Sequence, residues 1–273
     1  MDVLITGAYG GMGRATAKML KDRGYRVFAL DRRVGEEEEN VIPIEADVTS
    51  EESVMRALEL VRTYTDSLGA IIHFAGIYML DSLVEMSRED FCRIFDINLY
   101  GAFLINKAFL PLLQRGSRII ITTSELAPLD PLPFTGIYAV TKGALDKYAY
   151  SLRMELQLLG IGVSVLRAGA VSTGMLDAST DALERFCAST RLYNCSATRF
   201  RSIVNRVEAR SISTEKLAKK VTRVLTKRNP TFSYSINRNP LLRLMGILPK
   251  RAQLFAIRLI LKENKKKDKK KKQ

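Results

Sequence analysis

Tyr138 and Lys142 lie four residues apart, which places a phenol and an ammonium group on one face of a helix. A free tyrosine titrates near pH ~10, too high for proton transfer at neutral pH. A fixed cation nearby stabilises the phenolate and lowers its pKa, so the pair could act as a general acid and base. The same spacing is common on ordinary amphipathic helices. The function of the pair therefore depends on which other residues accompany it.

A glycine-rich turn follows the first apolar run of the chain. Residues 3–5 (Val-Leu-Ile) predict a short buried strand, and residues 6–13 (Thr-Gly-Ala-Tyr-Gly-Gly-Met-Gly) lead from it into a helical pattern. Glycines let the backbone approach a pyrophosphate, and the start of a helix favours its negative charge. This order predicts dinucleotide binding, and the alternative is a tight connection that binds no ligand.

Asp31 stands at the carboxyl end of a second predicted strand, residues 26–30. A carboxylate in this position can accept hydrogen bonds from both hydroxyls of an adenosine ribose and repels a 2′-phosphate. Arg32 and Arg33 could pair with a 2′-phosphate, although the four glutamates at 36–39 offer them a simpler partner. The sequence therefore favours NAD as the cofactor, with NADP as the alternative.

Strands alternate with helices along the rest of the chain. Further strands are predicted at 41–45, 70–76, 118–123, 162–166 and 232–236. Helices are predicted after residue 50, at 87–113, around 138–142 and at 213–227. The connection between Asp31 and Val41 is too short for a crossover helix. The alternation predicts a single-domain α/β fold with a Rossmann-like, doubly wound parallel sheet.

Several polar residues at strand ends or within helices are further candidates. Asp47 follows the third strand and either faces an adenine or caps the next helix, whereas Asn98 lies inside the helix predicted at 87–113 and could be merely solvated. His73 is the only histidine, and without a cluster of carboxylates or thiols a packing role is favoured over a metal site or a general acid. Ser124 ends a buried strand at the edge where α/β proteins bind ligands, with Thr123 as the alternative hydroxyl.

Taken in order, these residues resemble the short-chain dehydrogenase/reductase family over about residues 2–175, and within it the hydroxysteroid and retinol dehydrogenases. The matching motifs are Thr6-Gly7-x-x-x-Gly11-x-Gly13, Ala75-Gly76, Asn98-Leu99-x-Gly101, Gly169-Ala170-Val171-Ser172-Thr173 and the triplet Ser124, Tyr138 and Lys142. Three departures accompany the match. The pair His73-Phe74 replaces two asparagines, Ala168 replaces a proline, and the gap between Ser124 and Tyr138 is longer than usual.

The resemblance implies a nicotinamide-dependent oxidoreductase. Tyr138 would exchange a proton with the substrate, Lys142 would lower its pKa and hold the nicotinamide ribose, Ser124 would hydrogen-bond the substrate oxygen, and Asn98 would hold a water. The resemblance also implies a homodimer or homotetramer. The cofactor-binding positions that it implies are Gly7, Gly11, Met12, Gly13, Asp31, Asp47, Val48, Ala75, Gly76, Tyr138, Lys142 and Thr173.

Residues 174–210 correspond to the substrate lid of that family. They mix apolar residues (Met175, Leu176, Phe186, Tyr193, Phe200) with arginines (Arg185, Arg191, Arg199, Arg201, Arg206, Arg210). An apolar pocket with an arginine rim would suit a steroid-, retinoid- or lipid-like secondary alcohol or ketone, and the alternative is a solvated arginine face. The competing function is a regulatory or scaffold protein that binds the dinucleotide without turnover.

Composition predicts one domain, because the chain has 273 residues and 47% hydrophobic content. We place the dinucleotide-binding catalytic domain that the resemblance implies at 1–239. The three cysteines have no close pairing, and neither a signal peptide nor an apolar run of ~20 residues is visible. We therefore expect a cytoplasmic protein without a metal site.

The C-terminal segment is apolar and basic. Residues 240–264 predict an amphipathic helical extension, and residues 265–273 a disordered tail whose seven Lys and one Asp account for +6 of the formal +14 charge. Basic amphipathic segments are attracted to anionic lipid, so a peripheral membrane contact is one expectation and closure of the substrate pocket is the other. Nucleic acid is not expected, because the charges are not interleaved with aromatic residues.

Overall fold

The computed structural model of the protein describes residues 1–208 and 210–262, with the side chains of 175–178 and 205–208 excepted. The sequence expectations for the side chains of Met175, Leu176 and Arg206 lie outside this description, as does the tail at 265–273.

In the described part of the chain, seven parallel strands form one sheet in the order β3-β2-β1-β4-β5-β6-β7. The strands are β1 Asp2–Thr6, β2 Arg26–Asp31, β3 Val41–Glu45, β4 Leu68–His73, β5 Leu113–Ser124, β6 Gly162–Ala168 and β7 Ser233–Ile236. The doubly wound parallel sheet predicted from the sequence is therefore confirmed. Because the strand order reverses between β1 and β4, their carboxyl ends open the crevice in which such sheets bind ligands.

Helices cover both faces of the sheet. They are α1 Gly11–Lys21, α2 Glu51–Arg62, α3 Arg88–Phe95, α4 Gly101–Phe109, α5 Gly136–Leu156, α6 Gly174–Ser189, α7 Asn194–Glu208, α8 Thr214–Thr226, α9 Pro240–Ile247 and α10 Lys250–Leu261. As predicted, no helix lies in the described connection between β2 and β3. The extension expected after residue 239 is two helices, because Pro249 separates α9 from α10.

The single helix predicted over 87–113 is wrong in its interior and at its end. The α-helical turns stop at Phe95, one π-helical turn spans Asp96–Tyr100, and α4 continues from Gly101. A short 3-10 turn, Leu110–Leu112, contains Pro111 and ends the helix, so that Leu113 already belongs to β5. The π turn is the segment that carries Asn98.

The core lies on the two faces of the sheet. Leu4 and its neighbours pack under α2, α4 and α5, whereas Val3 and Ile5 face α1 and α8. This alternation follows from the period of a strand, in which successive side chains point to opposite faces. A separate cluster joins α6, α7 and α10 to Phe134. Among the described residues, no helix is long and apolar enough to cross a bilayer.

A nearly buried ion pair fixes α5 against the sheet. The Arg167 guanidinium of β6 donates to both carboxylate oxygens of Asp146, at 2.9 and 2.7 Å, and Thr123 of β5 donates to one of them at 3.3 Å. The side chains of Asp146 and Arg167 are only 10% and 17% exposed. Two charges in this setting depend on each other, because either one alone would be desolvated without a partner.

We expect Asp146→Ala to lower the free energy of unfolding by about 2–4 kcal/mol, because it leaves the Arg167 guanidinium nearly buried and unpaired. Urea denaturation followed by circular dichroism measures the change. The matched control is Glu155→Ala, which removes an exposed carboxylate from the same helix and should change stability by less than about 0.5 kcal/mol. Equal effects of the two substitutions would show that the ion pair does not hold α5.

Candidate active site

The glycine-rich turn lies between β1 and α1 and is shaped by close backbone contacts. Gly7 has a φ of +66°, and a Cβ placed on it would be 2.6 Å from the Ala75 nitrogen. A Cβ on Gly13 would be 2.1 Å from the Gly7 carbonyl oxygen. Only glycine meets both constraints, so the turn brings the ends of β1 and β4 together.

The start of α1 suits a bound anion. Its N-cap is Gly10, which supplies no capping side chain, and its first turn contains no acidic residue. The first backbone N–H groups of the helix therefore have no capping partner from a side chain, and the helix dipole adds to their attraction for negative charge. A pyrophosphate fits this chemistry.

Asp31 closes the far end of the crevice and has a role that the sequence did not indicate. Its two carboxylate oxygens accept hydrogen bonds from the backbone nitrogens of Tyr9, at 3.0 Å, and Arg32, at 2.8 Å. The carboxylate therefore ties the glycine turn to the end of β2. Asp47 caps a turn, because one of its oxygens accepts from both the backbone nitrogen and the hydroxyl of Thr49.

Ten of the twelve predicted cofactor positions line one crevice of about 860 Å³. They are Gly7, Gly11, Met12, Gly13, Asp31, Asp47, Val48, Ala75, Gly76 and Thr173. The other two, Tyr138 and Lys142, line a second cavity of about 310 Å³, and Met12, Gly76 and Thr173 border both. The two cavities adjoin each other at these shared residues, and the residues present fit an extended dinucleotide that ends beside Tyr138.

Asn98 is buried, not solvated. Its amide accepts from the Ile77 nitrogen at 2.8 Å and donates to the Ile77 oxygen at 3.0 Å and to the Thr141 hydroxyl at 3.2 Å. A Cβ on Gly76 would lie 3.1 Å from the Asn98 amide oxygen and 3.2 Å from the Lys142 ammonium. The π turn thus holds the Asn98 amide against the loop that follows β4, next to Lys142.

Ser124 and Thr123, the two hydroxyls that the sequence offered, both line the smaller cavity but have different partners. The Thr123 hydroxyl donates to Asp146 at 3.3 Å. The Ser124 hydroxyl accepts from the Leu126 nitrogen at 3.2 Å, opposes the rise in the pKa of Tyr138, and lines the smaller cavity together with that phenol. Lys142 lies beside the same ring, with its ammonium 5.7 Å from the ring centroid. The structure therefore brings Asn98, Ser124, Tyr138 and Lys142 together.

The longer gap between Ser124 and Tyr138 is taken up by a turn-rich loop. Phe134 adopts a φ of +65° there, and its ring packs against the rings of Phe186, Tyr193 and Phe200 at 4.6, 5.2 and 5.4 Å between centroids. This aromatic cluster anchors the loop to α6 and α7. The extra residues therefore leave Ser124 and Tyr138 on the wall of the same cavity.

Burial dominates the electrostatics of the pair. Burial raises the pKa of Tyr138 to about 12, against the opposing effect of the hydrogen bond from Ser124. Burial also lowers the pKa of Lys142 to about 8. The expected lowering of the Tyr138 pKa by the lysine is therefore not found, because desolvation favours the neutral form of both groups. At neutral pH the phenol is protonated and can act as an acid.

The loop after β4 is braced without the paired asparagines. The Phe74 nitrogen donates to the Thr6 carbonyl at 3.0 Å, and the Ala75 nitrogen donates to the Thr6 hydroxyl at 3.3 Å. At the other departure, the Ala168 carbonyl accepts from the Glu125 nitrogen at 2.9 Å. A proline at this position would accept the same bond, so the replacement by alanine leaves this contact unchanged.

His73 lies outside this constellation. It is buried in β4, and its Nε2 is 2.9 Å from the Asn106 amide oxygen. Burial lowers the pKa of His73 to about 4, although the hydrogen bond to Asn106 opposes the shift. No group of three His, Cys, Asp or Glu side chains among the described residues could hold a metal ion.

The smaller cavity is mainly apolar away from Ser124, Tyr138 and Lys142. Its other walls come from α7, from the loop before α5 and from the C-terminal helices, through Leu132, Phe200, Ile203, Val204, Leu241, Leu242, Met245, Ile257, Ile260 and Leu261. The arginine rim expected for this pocket is wrong for the described side chains. Arg185 lines the larger crevice, and Arg201 pairs with Glu184 on the surface. The remaining described arginines of the lid, Arg191, Arg199 and Arg210, are absent from the wall of the smaller cavity.

Two site residues escaped the sequence analysis. The ring of Tyr78 lies 4.8 Å from that of Tyr138, and no motif points to it. Glu125 also lines the smaller cavity, and its carboxylate accepts from the Asn239 nitrogen at 2.6 Å. Its position directly after Ser124 was the only available signal.

Comparison with known proteins agrees with this geometry. A family model described as short chain dehydrogenase matches residues 2–184. The 3-ketodihydrosphingosine reductase of Bacteroides thetaiotaomicron is 26% identical over 263 residues, which cover 94% of this chain and 96% of that protein. The NADPH-dependent 1-acyldihydroxyacetone phosphate reductase of Schizosaccharomyces pombe is 34% identical over 178 residues, 63% of this chain and 60% of that protein.

A solved structure confirms the fold. The short chain dehydrogenase from Burkholderia cenocepacia in complex with NADP superposes with a TM-score of 0.72 and 21% sequence identity, over 93% of this chain and 95% of that one.

The only histidine of the chain allows a direct test of its role. Burial lowers the pKa of His73 to about 4. In a nuclear magnetic resonance titration its imidazole signal should therefore remain that of the neutral ring from about pH 8 down to about pH 5. The same protein unfolded in urea is the control and should titrate near pH ~6.5. Titration of the folded protein near that value would contradict the packing role.

Proposed function

The chain belongs to the short-chain dehydrogenase family, and from this we propose that it is a nicotinamide-dependent oxidoreductase that interconverts a hydrophobic secondary alcohol and its ketone. One observation carries the proposal. The side chains of Ser124, Tyr138 and Lys142 lie together on the wall of an apolar cavity, and that cavity adjoins the glycine-lined crevice.

In the direction of ketone reduction, Tyr138 is the proton donor. Its phenol is protonated at neutral pH, and the Ser124 hydroxyl can donate to the same substrate oxygen. As negative charge develops on that oxygen, both groups stabilise it, and Tyr138 transfers its proton. A bound nicotinamide would supply the hydride in reduction and accept it in oxidation. In alcohol oxidation the same groups act in reverse.

Lys142 supports the proton transfer. With a pKa of about 8, Lys142 is an ammonium ion in most molecules at neutral pH, although it is buried. An ammonium beside Tyr138 stabilises the phenolate left after proton transfer, so its effect is largest when the charge forms. The Asn98 amide and the Gly76 backbone lie close to this ammonium. We propose that Lys142 stabilises the phenolate until a proton returns to it, and that Asn98 holds a water beside Lys142.

The apolar wall supports a lipid-like substrate. Apart from the groups at the catalytic end, the cavity is lined mainly by leucine, isoleucine, valine, methionine and phenylalanine side chains. Both curated relatives are named as reductases of lipids, one of 3-ketodihydrosphingosine and the other of 1-acyldihydroxyacetone phosphate. For this chain we propose a lipid-, steroid- or retinoid-like substrate.

We propose NAD(H) as the preferred cofactor. Asp31 places a carboxylate on the crevice wall where an adenosine ribose would lie, and a 2′-phosphate beside it would meet like charge. Arg32 and Arg33 also line this end and would attract such a phosphate, and one relative is named as NADPH-dependent. We favour NAD(H) over NADP(H) because the Asp31 carboxylate lines the crevice at the end of β2. Hydrogen bonds from two backbone N–H groups fix it there.

A homo-oligomer also belongs to the proposal. Apolar and aromatic side chains are exposed on the helices that flank β4 and β5, among them Phe91, Phe103, Tyr150 and Met154. A second copy that packs against this surface would remove it from water.

The acid role of Tyr138 predicts a large rate effect. Tyr138→Phe should lower kcat by about 10²–10⁴-fold, because the acid is lost, while the dissociation constant for NADH should stay within about twofold. Steady-state rates with a panel of hydroxysteroids, long-chain ketones and short alcohols, together with NADH fluorescence titration, measure both quantities.

The matched control is Tyr150→Phe, which removes an exposed hydroxyl from the same helix and should keep the wild-type rate. Equal rates of the Tyr138→Phe variant and the wild type would overturn the assigned chemistry. NADH binding by the wild type without turnover of any panel member would favour the competing function, a binding protein without catalysis.

The carboxylate of Asp31 predicts a change in cofactor preference. Asp31→Asn removes the charge but keeps an oxygen that can accept from Tyr9. The ratio of kcat/KM with NADP(H) to kcat/KM with NAD(H) should rise by about tenfold, because the repulsion of the 2′-phosphate is lost. The ratio corrects for general damage to the fold. An unchanged or lower ratio would show that Asp31 does not discriminate between the cofactors.

A further inference from the structure

The C-terminal helices α9 and α10 have two distinct apolar faces. The inner face forms part of the substrate cavity through Leu242, Met245, Ile257 and Leu261. Leu261 is nearly buried and packs in the cluster formed by Phe134 and the helices α6 and α7. One of the two roles expected from the sequence, closure of the pocket, is therefore seen in the structure.

Polar contacts fix this helix pair to the rest of the protein at several points. Before α9, the backbone nitrogen of Asn239 donates to Glu125. In α10, Gln253 donates to Asp130 at 3.0 Å, and Lys250 forms an ion pair with the same carboxylate. At the end of α10, the Ser196 hydroxyl donates to the carbonyl of Leu261 at 3.0 Å. These contacts set which face of each helix points outward.

The outer face carries large apolar side chains in contact with solvent. Ile247 is 80% exposed, and Leu244, Leu254, Phe255 and Leu259 are each more than half exposed. In α10 the exposed residues recur at helical spacing, so they form one stripe. We call the surface formed by Leu244, Ile247, Leu254, Phe255 and Leu259 the outer apolar face.

Exposed basic residues accompany the outer apolar face along α9 and α10, although Lys250 is paired with Asp130. Between residues 237 and 262 the sequence contains no Asp or Glu. Its basic residues are Arg238, Arg243, Lys250, Arg251, Arg258 and Lys262. Apolar side chains flanked by such cations fit a lipid surface whose head groups are negative. The sequence after Lys262 contains seven lysines, one glutamate and one aspartate, which add a formal net charge of +5.

We propose that the outer apolar face lies in the interface of an anionic lipid bilayer and that the substrate cavity is filled from that side. Leu241 and Ile260 line the cavity, and each is also at least half exposed. The cavity wall and the outer surface therefore meet at these two residues. The attachment stands by itself, whereas the entry of substrate from the bilayer rests on the proposed function.

Charge and helix length decide between a bilayer and other occupants. A second copy of the chain seated on this face would bring two clusters of basic residues together, and like charges oppose such a contact. Nucleic acid would gain little from exposed leucines and isoleucines, because base stacking uses aromatic rings. Neither described helix can span a bilayer. The helices are therefore suited to lie in the plane of the interface.

The attachment is tested with the full chain and sedimentation of vesicles made of phosphatidylcholine, with or without phosphatidylserine. We expect the wild type to bind the vesicles that contain phosphatidylserine. The double variant Ile247→Glu/Phe255→Glu should bind them at least about tenfold more weakly, because both side chains leave the interface. The matched control is Leu158→Glu/Leu192→Glu, which adds the same charge at two other exposed leucines and should bind like the wild type.

Three results would overturn the attachment. Absence of wild-type binding to both kinds of vesicle would remove it outright. Equal binding of the wild type and the Ile247→Glu/Phe255→Glu variant would assign binding to the lysines alone. A dimer in size-exclusion chromatography that this variant dissociates, without vesicle binding by the wild type, would assign the face to a second copy.

The route of substrate entry has its own readout. A long-chain ketone dissolved in vesicles that contain phosphatidylserine should be reduced at least about tenfold more slowly by the Ile247→Glu/Phe255→Glu variant than by the wild type, while a short water-soluble ketone should be reduced equally by both. Equal slowing with both ketones would overturn entry from the bilayer. Failure of the wild type to reduce any ketone would refute the proposed function but would leave the sedimentation result intact.

Discussion

The burial of Lys142 beside Tyr138 is the constraint on which the site depends. A lysine removed from water is stable as an ammonium only where fixed polar groups surround it, and its lowered pKa shows that desolvation is incompletely compensated. The amide oxygen of Asn98 accepts from the Ile77 nitrogen and lies close to Gly76, as the lysine ammonium also does. The π turn, which departs from regular helix geometry, brings that amide inward from the interior of a helical segment. The π turn thus brings the Asn98 amide close to the Lys142 ammonium.

The same burial supports the proposed joint action of the phenol and the lysine. In the resting site, desolvation favours a neutral phenol, and the neighbouring cation does not reverse this. In the proposed proton transfer the phenolate would form in a buried region, where its attraction to an ammonium ion is stronger than it would be in water. The pKa of Tyr138 in the resting site is high, but the pair is suited to stabilise a phenolate that would exist only during the reaction.

Much of the fold could be predicted from the sequence because it depends on short-range patterns. Buried strands, the glycine turn and the missing helix between β2 and β3 follow from periodicity and connection length. The π turn could not be predicted, because a helical pattern of apolar residues does not distinguish a bond to the fourth preceding residue from one to the fifth. The choice of Ser124 over Thr123 depends on Asp146, which lies in another element. The contact of Glu125 with Asn239 joins residues 114 positions apart, and no local pattern encodes it.

The position of the C-terminal helices follows from the topology of the sheet. Because β7 runs parallel to β6, it ends at the same edge as β5 and β6, and Ile236 pairs with Ala168 there. The backbone nitrogen of Gly169 donates to Ile236, and the Asn237 amide donates to the Ala170 carbonyl, so the chain leaves the sheet beside the substrate cavity. Any segment that follows β7 therefore begins at the mouth of that cavity. An apolar segment in this place covers the cavity with one face, and because helices have two sides, its remaining apolar residues face outward unless another surface covers them.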